Sequence, residues 1–334
     1  MRPNPARMSP LRPLPPLALV ALLCFSGCAG NPTQPSGPSG DNRGEHLVVF
    51  ATDRARAAGD YALGLYDLDN AGFRSLADLD AAGVESEPCL SNDGGFIAFA
   101  ATRTSGATLG DIYLYDRLTR LLIPTPGLNT TGAESWPRFT YDSVQLAFVT
   151  QLVSGEKRVR LYDPVGDALV PLPGLDAQLT FDDDMPAPNL DGTRIAFASN
   201  RAGNADVLVW NRSSGLAVKP LLASAGLDTE PSLSSNGRWL AFTSDRAGGA
   251  GGADVYLYDL TADSLVALAG LNSAGDERHP SVSAAGDVLL FQSNRTSGGG
   301  QYDLYRYTLP GGVTDQPAAF RNVSDDIQPY LRYR

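Results

Sequence analysis

The sequence is poor in the residues that most often carry chemistry. Its 334 residues include three cysteines (Cys24, Cys28 and Cys89) and two histidines (His46 and His279). So few cysteines exclude a disulfide framework and a CxxC metal site, and the histidine count excludes a histidine-rich zinc site. The sequence also lacks a GxSxG elbow, a P-loop and a dinucleotide fingerprint. We therefore predict no catalytic residue, no confident metal site and a chain that is not an enzyme.

Positive charge, long apolar runs and helical periodicity are also scarce. Lys and Arg number 26 against 37 Asp and Glu, which gives a formal net charge of −11. This acidity argues against nucleic acid as a partner and against direct docking on anionic lipid. It is compatible with a basic partner or with cations, and equally with a role in solubility alone. No window shows helical periodicity over three turns, so we expect an all-β chain.

The N-terminus has the features of a secretory signal. Arg2, Arg7 and Arg12 precede a short apolar stretch at 17–25, which ends in Phe25-Ser26-Gly27-Cys28. This ending resembles a lipobox, which predicts a signal peptide over 1–27 and lipidation of Cys28; ordinary cleavage near residue 29 is the alternative. Residues 28–44, rich in Pro, Gly and Ser, read as a flexible tether. Ala29 after Cys28 favours the outer membrane, facing the periplasm.

The strongest pattern in the sequence is a repeat. An acidic residue stands three places before a proline in every unit, at Glu85, Glu134, Asp183, Asp228, Glu277 and Asp326. Eleven residues after each of the first five prolines comes a phenylalanine in an apolar alternating run, followed by a second run such as DIYLYD or DVYLYD. Four short strands in each unit of 45 to 49 residues are typical of β-propeller blades.

The ends of the chain predict the number of blades. The sixth unit begins at Asp326 and has only 326–334 left, and residues 45–84 supply the remainder of one repeat. We therefore predict a six-bladed propeller of four-stranded antiparallel blades over 45–334, closed by strands from both termini. The blades fall at about 85–133, 134–182, 183–227, 228–276, 277–325, and 326–334 joined to 45–84. Such a seam leaves no exposed sheet edge.

The repeat resembles that of TolB-like propellers. The segments EPSLSSNGRWLAFTSDR (230–246) and EPCLSNDGGFIAFAATR (87–103) carry the resemblance, which covers residues 45–334. The resemblance implies the fold and says little about function, since this repeat serves many roles. The namesake of the family has an α/β domain before its propeller. Here the tether leads directly into the first strand, so we expect a propeller without that domain.

The six repeated acids are the first candidate site. Each begins the innermost strand of its blade, so we expect Glu85, Glu134, Asp183, Asp228, Glu277 and Asp326 to form a ring at one channel mouth. Such a ring would bind a cation such as Ca²⁺, or a basic group of a partner. The alternative is that each carboxylate accepts backbone N–H groups and fixes a turn between blades.

Two further residues are candidate ligand contacts. Trp136 and His279 each directly precede a repeat proline, near the expected channel mouth. The repeated Arg after the second strand (Arg54, Arg103, Arg201, Arg246, Arg295) and the Asp that begins the third strand (Asp111, Asp206, Asp254, Asp303) suggest ion pairs that close loops. Blade 2 lacks both residues. Cys89 is expected to be a small buried residue.

These features predict a non-enzymatic envelope lipoprotein that binds a protein or peptide partner at its channel face. We expect a monomer that touches the membrane through its lipid anchor only and has no nucleic-acid partner. Two other classes stay open at the sequence level. One is a carbohydrate-binding propeller that uses Trp136, and the other is a calcium-dependent propeller hydrolase or lyase that uses the ring of acids.

Overall fold

A computed structural model of the chain describes residues 46–332, apart from 55–59, 77–78, 80–82, 103–109, 143, 177–179, 218–221, 299–300 and 322–323. In this part of the chain, 24 β-strands and one turn of 3-10 helix, Ala318–Phe320, are present. The strands form six four-stranded sheets. The predicted all-β class and the predicted six blades are therefore confirmed.

The strands are numbered along the chain and grouped here by blade. Blade 6 contains β1 Leu47–Thr52, β2 Ala62–Asp67, β3 Gly72–Arg74 and the last strand, β24 Asp326–Arg332. Blade 1 contains β4 Glu85–Leu90, β5 Phe96–Ala101, β6 Asp111–Asp116 and β7 Leu121–Ile123, and blade 2 contains β8 Ala133–Phe139, β9 Leu146–Gln151, β10 Lys157–Asp163 and β11 Ala168–Val170. Blade 3 contains β12 Asp183–Pro188, β13 Arg194–Ser199, β14 Asp206–Asn211 and β15 Gly215–Ala217. Blade 4 contains β16 Asp228–Leu233, β17 Trp239–Ser244, β18 Asp254–Asp259 and β19 Ser264–Val266, and blade 5 contains β20 Glu277–Val282, β21 Val288–Ser293, β22 Asp303–Thr308 and β23 Val313–Asp315.

The blades close into a ring around their inner strands. The inner strands are β4, β8, β12, β16, β20 and β24; each contacts the inner strand of the next blade, and β24 contacts β4. In blade 6, β24 pairs antiparallel with β1, with Thr52 opposite Asp326 and Val48 opposite Leu331. This confirms the predicted seam of strands from both ends of the chain.

The apolar core lies between neighbouring blades. The repeated phenylalanine of each second strand is at most 1% exposed, at Phe50, Phe99, Phe148, Phe197, Phe242 and Phe291. Six clusters of buried residues each join the facing sides of two adjacent blades. Burying one such side chain stabilises the fold by about 1.5–3 kcal/mol. The repeat is thus stable only as a ring in which every blade covers its neighbour.

All six inner strands carry the same irregularity. The residue before each repeat proline has a positive φ between 49° and 55°, at Glu87, Trp136, Met185, Glu230, His279 and Gln328. The pairing register with the second strand shifts at the same place. Proline has no N–H to donate to the sheet, which favours a bulge there. A left-handed backbone at a non-glycine residue costs about 1–2 kcal/mol and persists only where its surroundings hold it.

Candidate functional site

The repeated acids lie inside the blades. Their side chains are at most 1% exposed, and the residues that border the central cavity include none of them. The backbone N–H of the acid donates to the preceding blade, as from Glu277 to Ala253 O at 2.7 Å. The carboxylate faces the end of its own second strand, where Ser293 Oγ donates to Glu277 Oε1 at 2.7 Å. The six acids therefore do not form the expected open ring at the channel mouth. Each lies inside its own blade and connects that blade to its neighbour.

Four of the repeated arginines pair with these acids, and Arg103 lies outside the described residues. Arg246 Nη2 lies 2.8 Å from Asp228 Oδ1, and Arg295 Nη2 lies 3.1 Å from Glu277 Oε1. Arg54 pairs with Asp326 and Arg201 with Asp183 in the same way. We expected these arginines to pair with the Asp of the third strand. Instead, Asp254 caps its own loop, where its Oδ2 accepts the Ala250 N–H at 2.8 Å, and Asp206 Oδ1 accepts the Ser224 N–H at 3.3 Å.

Blade 2 departs from this pattern. Leu152 stands where the other blades have arginine, and no ion pair reaches Glu134 within the described residues. Oε1 of Glu134 accepts a hydrogen bond from Thr130 Oγ1 at 2.6 Å, while its buried Oε2 has no partner in this part of the chain. Burial raises the pKa of Glu134, and the nearby Asp111 carboxylate raises it further.

The bulge residues, two positions after the acids, form the channel lining. Five of the six border a central cavity of about 40 Å³: Trp136, Met185, Glu230, His279 and Gln328. Deeper in the channel, the cavity is lined by residues two positions after the bulge: Arg138, Ala187, Ser232, Ser281 and Tyr330. A volume of 40 Å³ holds about three water molecules, far less than a pocket for a drug-sized ligand.

Side chains of the bulge residues bind the backbone of the next blade. Glu87 Oε2 accepts the Trp136 N–H at 2.6 Å, and Glu230 Oε2 accepts the His279 N–H at 2.8 Å. Gln328 Oε1 accepts the Glu87 N–H at 2.9 Å, which joins blade 6 to blade 1. The bulge frees these N–H groups from the ladder, and a buried free N–H is costly. Hydrogen bonds from one blade to the next therefore fix the left-handed residues around the channel.

The two predicted ligand contacts come together. Trp136 belongs to blade 2 and His279 to blade 5, opposite each other in the ring of six. Their rings stack across the channel, with centroids 5.5 Å apart and planes 25° from parallel. The Arg138 guanidinium lies 5.5 Å from the centre of the Trp136 ring. Trp136 is only 9% exposed, so the stack narrows the channel at this level.

The channel shifts the pKa of its acidic and basic groups. Burial raises the pKa of Glu87 to about 7, against the opposing effects of the Trp136 N–H and the Arg138 charge. Burial lowers the pKa of His279, and the charges of Arg138 and Arg278 add to this, although Glu230 opposes them. Burial alone would raise the pKa of Glu230, but His279 and Arg278 outweigh it and the pKa is lowered.

The remaining candidate residues are placed as follows. Cys28 lies outside the described residues. Cys89 is buried beside the channel, and burial raises the pKa of its thiol to about 11. Both observations agree with the expected small buried residue. The part of the chain that the structure describes has no cluster of three or more His, Cys, Asp or Glu that could hold a metal ion. In that same part, no helix is long and apolar enough to cross a bilayer.

Solved structures share this fold. TolB from Acinetobacter baumannii superposes with a TM-score of 0.66 at 18% identity, covering 88% of this chain and 68% of that one. A putative TolB from Agrobacterium tumefaciens gives a TM-score of 0.57 at 14% identity, covering 87% and 98% of the two chains. The tricorn protease gives 0.57 at 17% identity, covering 82% of this chain and 26% of the protease. No protein-family model matches the chain. At these identities the likeness establishes the propeller fold and nothing about activity.

Proposed function

We propose that this protein is a non-enzymatic lipoprotein of the cell envelope that binds a protein or peptide at the channel face of its propeller. One observation carries the proposal. The six blades share their acids, phenylalanines and bulges, yet the residue on the bulge is different in almost every blade: Glu87, Trp136, Met185, Glu230, His279 and Gln328. Glu87, Glu230 and Gln328 also bind the next blade, so the blade does not dictate one residue type here, and we take the variation to mark a surface with its own role. Backbone strain often accompanies such roles.

The size of the channel favours a macromolecular partner over a small substrate. The cavity of about 40 Å³ can admit a side chain or a chain end but not a sugar ring or a drug-sized molecule. A partner would therefore rest on the face of the ring and insert one group. The neighbours named TolB are consistent with this use of the fold, and the tricorn neighbour shows that the fold also occurs in a protease.

The surroundings of His279 support a role without catalysis. Its ring packs on Trp136, and its Nε2 lies 3.4 Å from Glu230 Oε1. In the described part of the chain, no serine, threonine or cysteine side chain is hydrogen-bonded to His279. Nucleophilic catalysis of the serine or cysteine type needs such a contact with a base.

Photo-crosslinking in cells tests the binding face. Benzoylphenylalanine replaces Met185 on the channel lining in one variant of the full chain, and Leu121 on the outer strand of blade 1, which is 66% exposed, in a control. We expect one defined protein adduct from position 185 and none from position 121. Identical adducts from both positions, or none from position 185, would overturn the proposal.

The lipid anchor needs its own test, because Cys28 lies outside the described residues. Growth with radiolabelled palmitate should label the chain, and Cys28→Ala should abolish the label. Cys24→Ala is the matched control, because Cys24 lies within the apolar stretch before the cleavage site. Labelling that survives in Cys28→Ala would overturn the anchor and leave the binding face untouched.

A further inference from the structure

We propose that Arg138 binds a carboxylate of the partner, so that the channel recognises an acidic side chain or a free C-terminus. This deepens the proposed function and rests on it. The overall acidity of the chain would favour a basic partner, but the groups that line the channel indicate the opposite charge at this one point.

Arg138 differs in its pairing from two nearby cations, Arg278 and Lys157, neither of which borders the cavity. Arg278 Nη1 lies 3.1 Å from Glu230 Oε1, and Lys157 Nζ lies 2.6 Å from Asp184 Oδ2. Arg138 has no carboxylate within 4 Å among the described residues. Its Nη1 donates to two backbone carbonyls, Pro137 O at 2.8 Å and Glu87 O at 3.2 Å. The guanidinium therefore retains N–H groups and a net charge for a ligand.

Aromatic rings hold the Arg138 side chain in place. Its guanidinium carbon lies 5.5 Å from the centre of the Trp136 ring and 5.6 Å from that of Tyr330. The carbonyl hydrogen bonds and the rings fix the planar group before any ligand arrives, which lowers the entropy lost on binding. A fixed guanidinium binds carboxylates with two parallel hydrogen bonds.

The cavity beside Arg138 offers further hydrogen-bond donors. Ser232 Oγ accepts the Val282 N–H at 3.0 Å, and Ser281 Oγ accepts the Leu331 N–H at 2.9 Å. Each hydroxyl still has its own proton to donate. Burial raises the pKa of Tyr330 well above its ordinary value, so its phenol also keeps its proton. This set of donors suits an anion.

The two carboxylates of the channel do not compete for this position. Glu230 is engaged by Arg278 and by the His279 N–H. Glu87 Oε2 accepts the Trp136 N–H, and its raised pKa means that it is protonated much of the time near neutral pH. The cavity of about 40 Å³ matches a carboxylate and its first carbon, which together occupy about the space of three waters.

Small carboxylates and their neutral amides test the inference. The full chain, with ¹⁵N-labelled arginine, is titrated with acetate or acetamide at constant ionic strength, and the Arg138 Nε–H signal is followed by NMR. We expect a saturable shift with acetate and none with acetamide. The Trp136 indole N–H gives a second signal, whose acetate response should be lost in Arg138→Gln and weakened several-fold in Arg138→Lys.

Arg160→Gln is the matched control, because Arg160 lies in the same blade but pairs with Asp176, 3.2 Å away and outside the channel lining. Its acetate response should equal that of the unaltered chain. An equal response to acetamide, or an acetate response of the Trp136 signal that survives Arg138→Gln, would overturn the inference. Failure here with a positive crosslink at position 185 would refute the carboxylate and leave the binding face standing. Acetate binding without a crosslink would refute the protein partner and leave only a carboxylate site at Arg138.

Discussion

Trp136 and His279 stack across the channel from opposite blades, with ring centroids 5.5 Å apart. Two residues 143 positions apart in sequence thus narrow one opening, although they lie on strands that do not pair with each other. The contact depends on the bulge at each position, which turns the side chain out of the sheet and towards the axis. The closed ring of blades therefore positions the two side chains, and the distance between their rings depends on the packing of every blade that separates them.

Loss of this stack should expose Trp136. In His279→Ala the indole loses its ring partner, and we expect acrylamide to quench tryptophan fluorescence more strongly, because Trp136 is only 9% exposed in the intact channel. The stack itself is worth about 1 kcal/mol. His46→Ala is the control, since His46 pairs with Asp69 away from the channel. An equal rise in quenching in both variants would contradict the contact.

Glu87 should make stability depend on pH. The folded chain holds its proton up to a pKa of about 7, whereas the unfolded chain releases it near 4.5. The folded state thus binds more protons between these values, and the free energy of unfolding should fall as pH rises from about 4.5 to about 7. The full effect is about 3 kcal/mol. Besides Trp136, the charges that act on Glu87 are Arg138, Lys157 and Asp184.

Glu87→Gln should remove this component of the pH dependence. Urea unfolding at pH 5 and pH 8 measures it, and the variant should gain stability relative to the unaltered chain only at the higher pH. Glu156→Gln is the comparison, because the pKa of Glu156 is lowered by the Ser154 hydroxyl and cannot produce the same slope. Equal slopes in Glu87→Gln and the unaltered chain would show that Glu87 ionises normally.

Leu152→Arg should stabilise blade 2. The substitution places a guanidinium where blades 3 to 6 have one, next to the unpaired Oε2 of Glu134. We expect a gain of about 1 kcal/mol in the free energy of unfolding, because Glu134 is already buried and gains a cation. The gain should vanish in the double variant Leu152→Arg/Glu134→Gln. A gain that persists in the double variant would mean that the arginine acts elsewhere.

The blades should respond unequally to loss of their acids. Glu277→Gln leaves the largely buried Arg295 without a charge partner, and should cost about 3 kcal/mol or more. Glu134→Gln removes a buried carboxylate that has no cation and a raised pKa, so it should cost less than about 1 kcal/mol. Thermal unfolding of both variants measures the difference. Equal losses would show that the ion pair at Glu277 adds nothing.

Removal of the seam strand should destroy the ring. A chain that ends at residue 325 lacks β24, which leaves β1 as an open edge beside an uncovered channel. We expect an insoluble or non-cooperatively folded product. A chain that ends at Arg332 keeps every described pair of the seam and should fold as before. A soluble monomer with an unchanged unfolding midpoint in the shorter chain would contradict the closure.

Most of the architecture was predictable because it repeats. The spacing of acid, proline and phenylalanine gave the inner and second strands, and the split unit predicted the pairing of Asp326 with the strand of Phe50. Trp136 and His279 were also recognised, because each directly precedes a proline. The proline that follows each of them is the informative feature, because proline in an inner strand indicates a bulge.

The bulge also explains why the sequence predicts the repeated acids in the channel, where the structure does not have them. Strand alternation alone does not show which side chains of an inner strand pack between blades and which point towards the channel axis. The bulge shifts the register after Ser86 in blade 1 and at the equivalent points elsewhere, so the channel receives the residue two places after the acid. Arg138 was missed because it stands alone, and a residue that occurs in one blade only leaves no periodic trace.

The seam also determines how the chain could be rearranged. Leu47 lies opposite Arg332, at the end of blade 6 remote from Asp326. A short linker could therefore join these two points, and new termini could be opened at a surface turn between any two blades. Circular permutants of this kind would carry all six sheets on unbroken backbone. Fusion partners could then be attached at any chosen point around the rim.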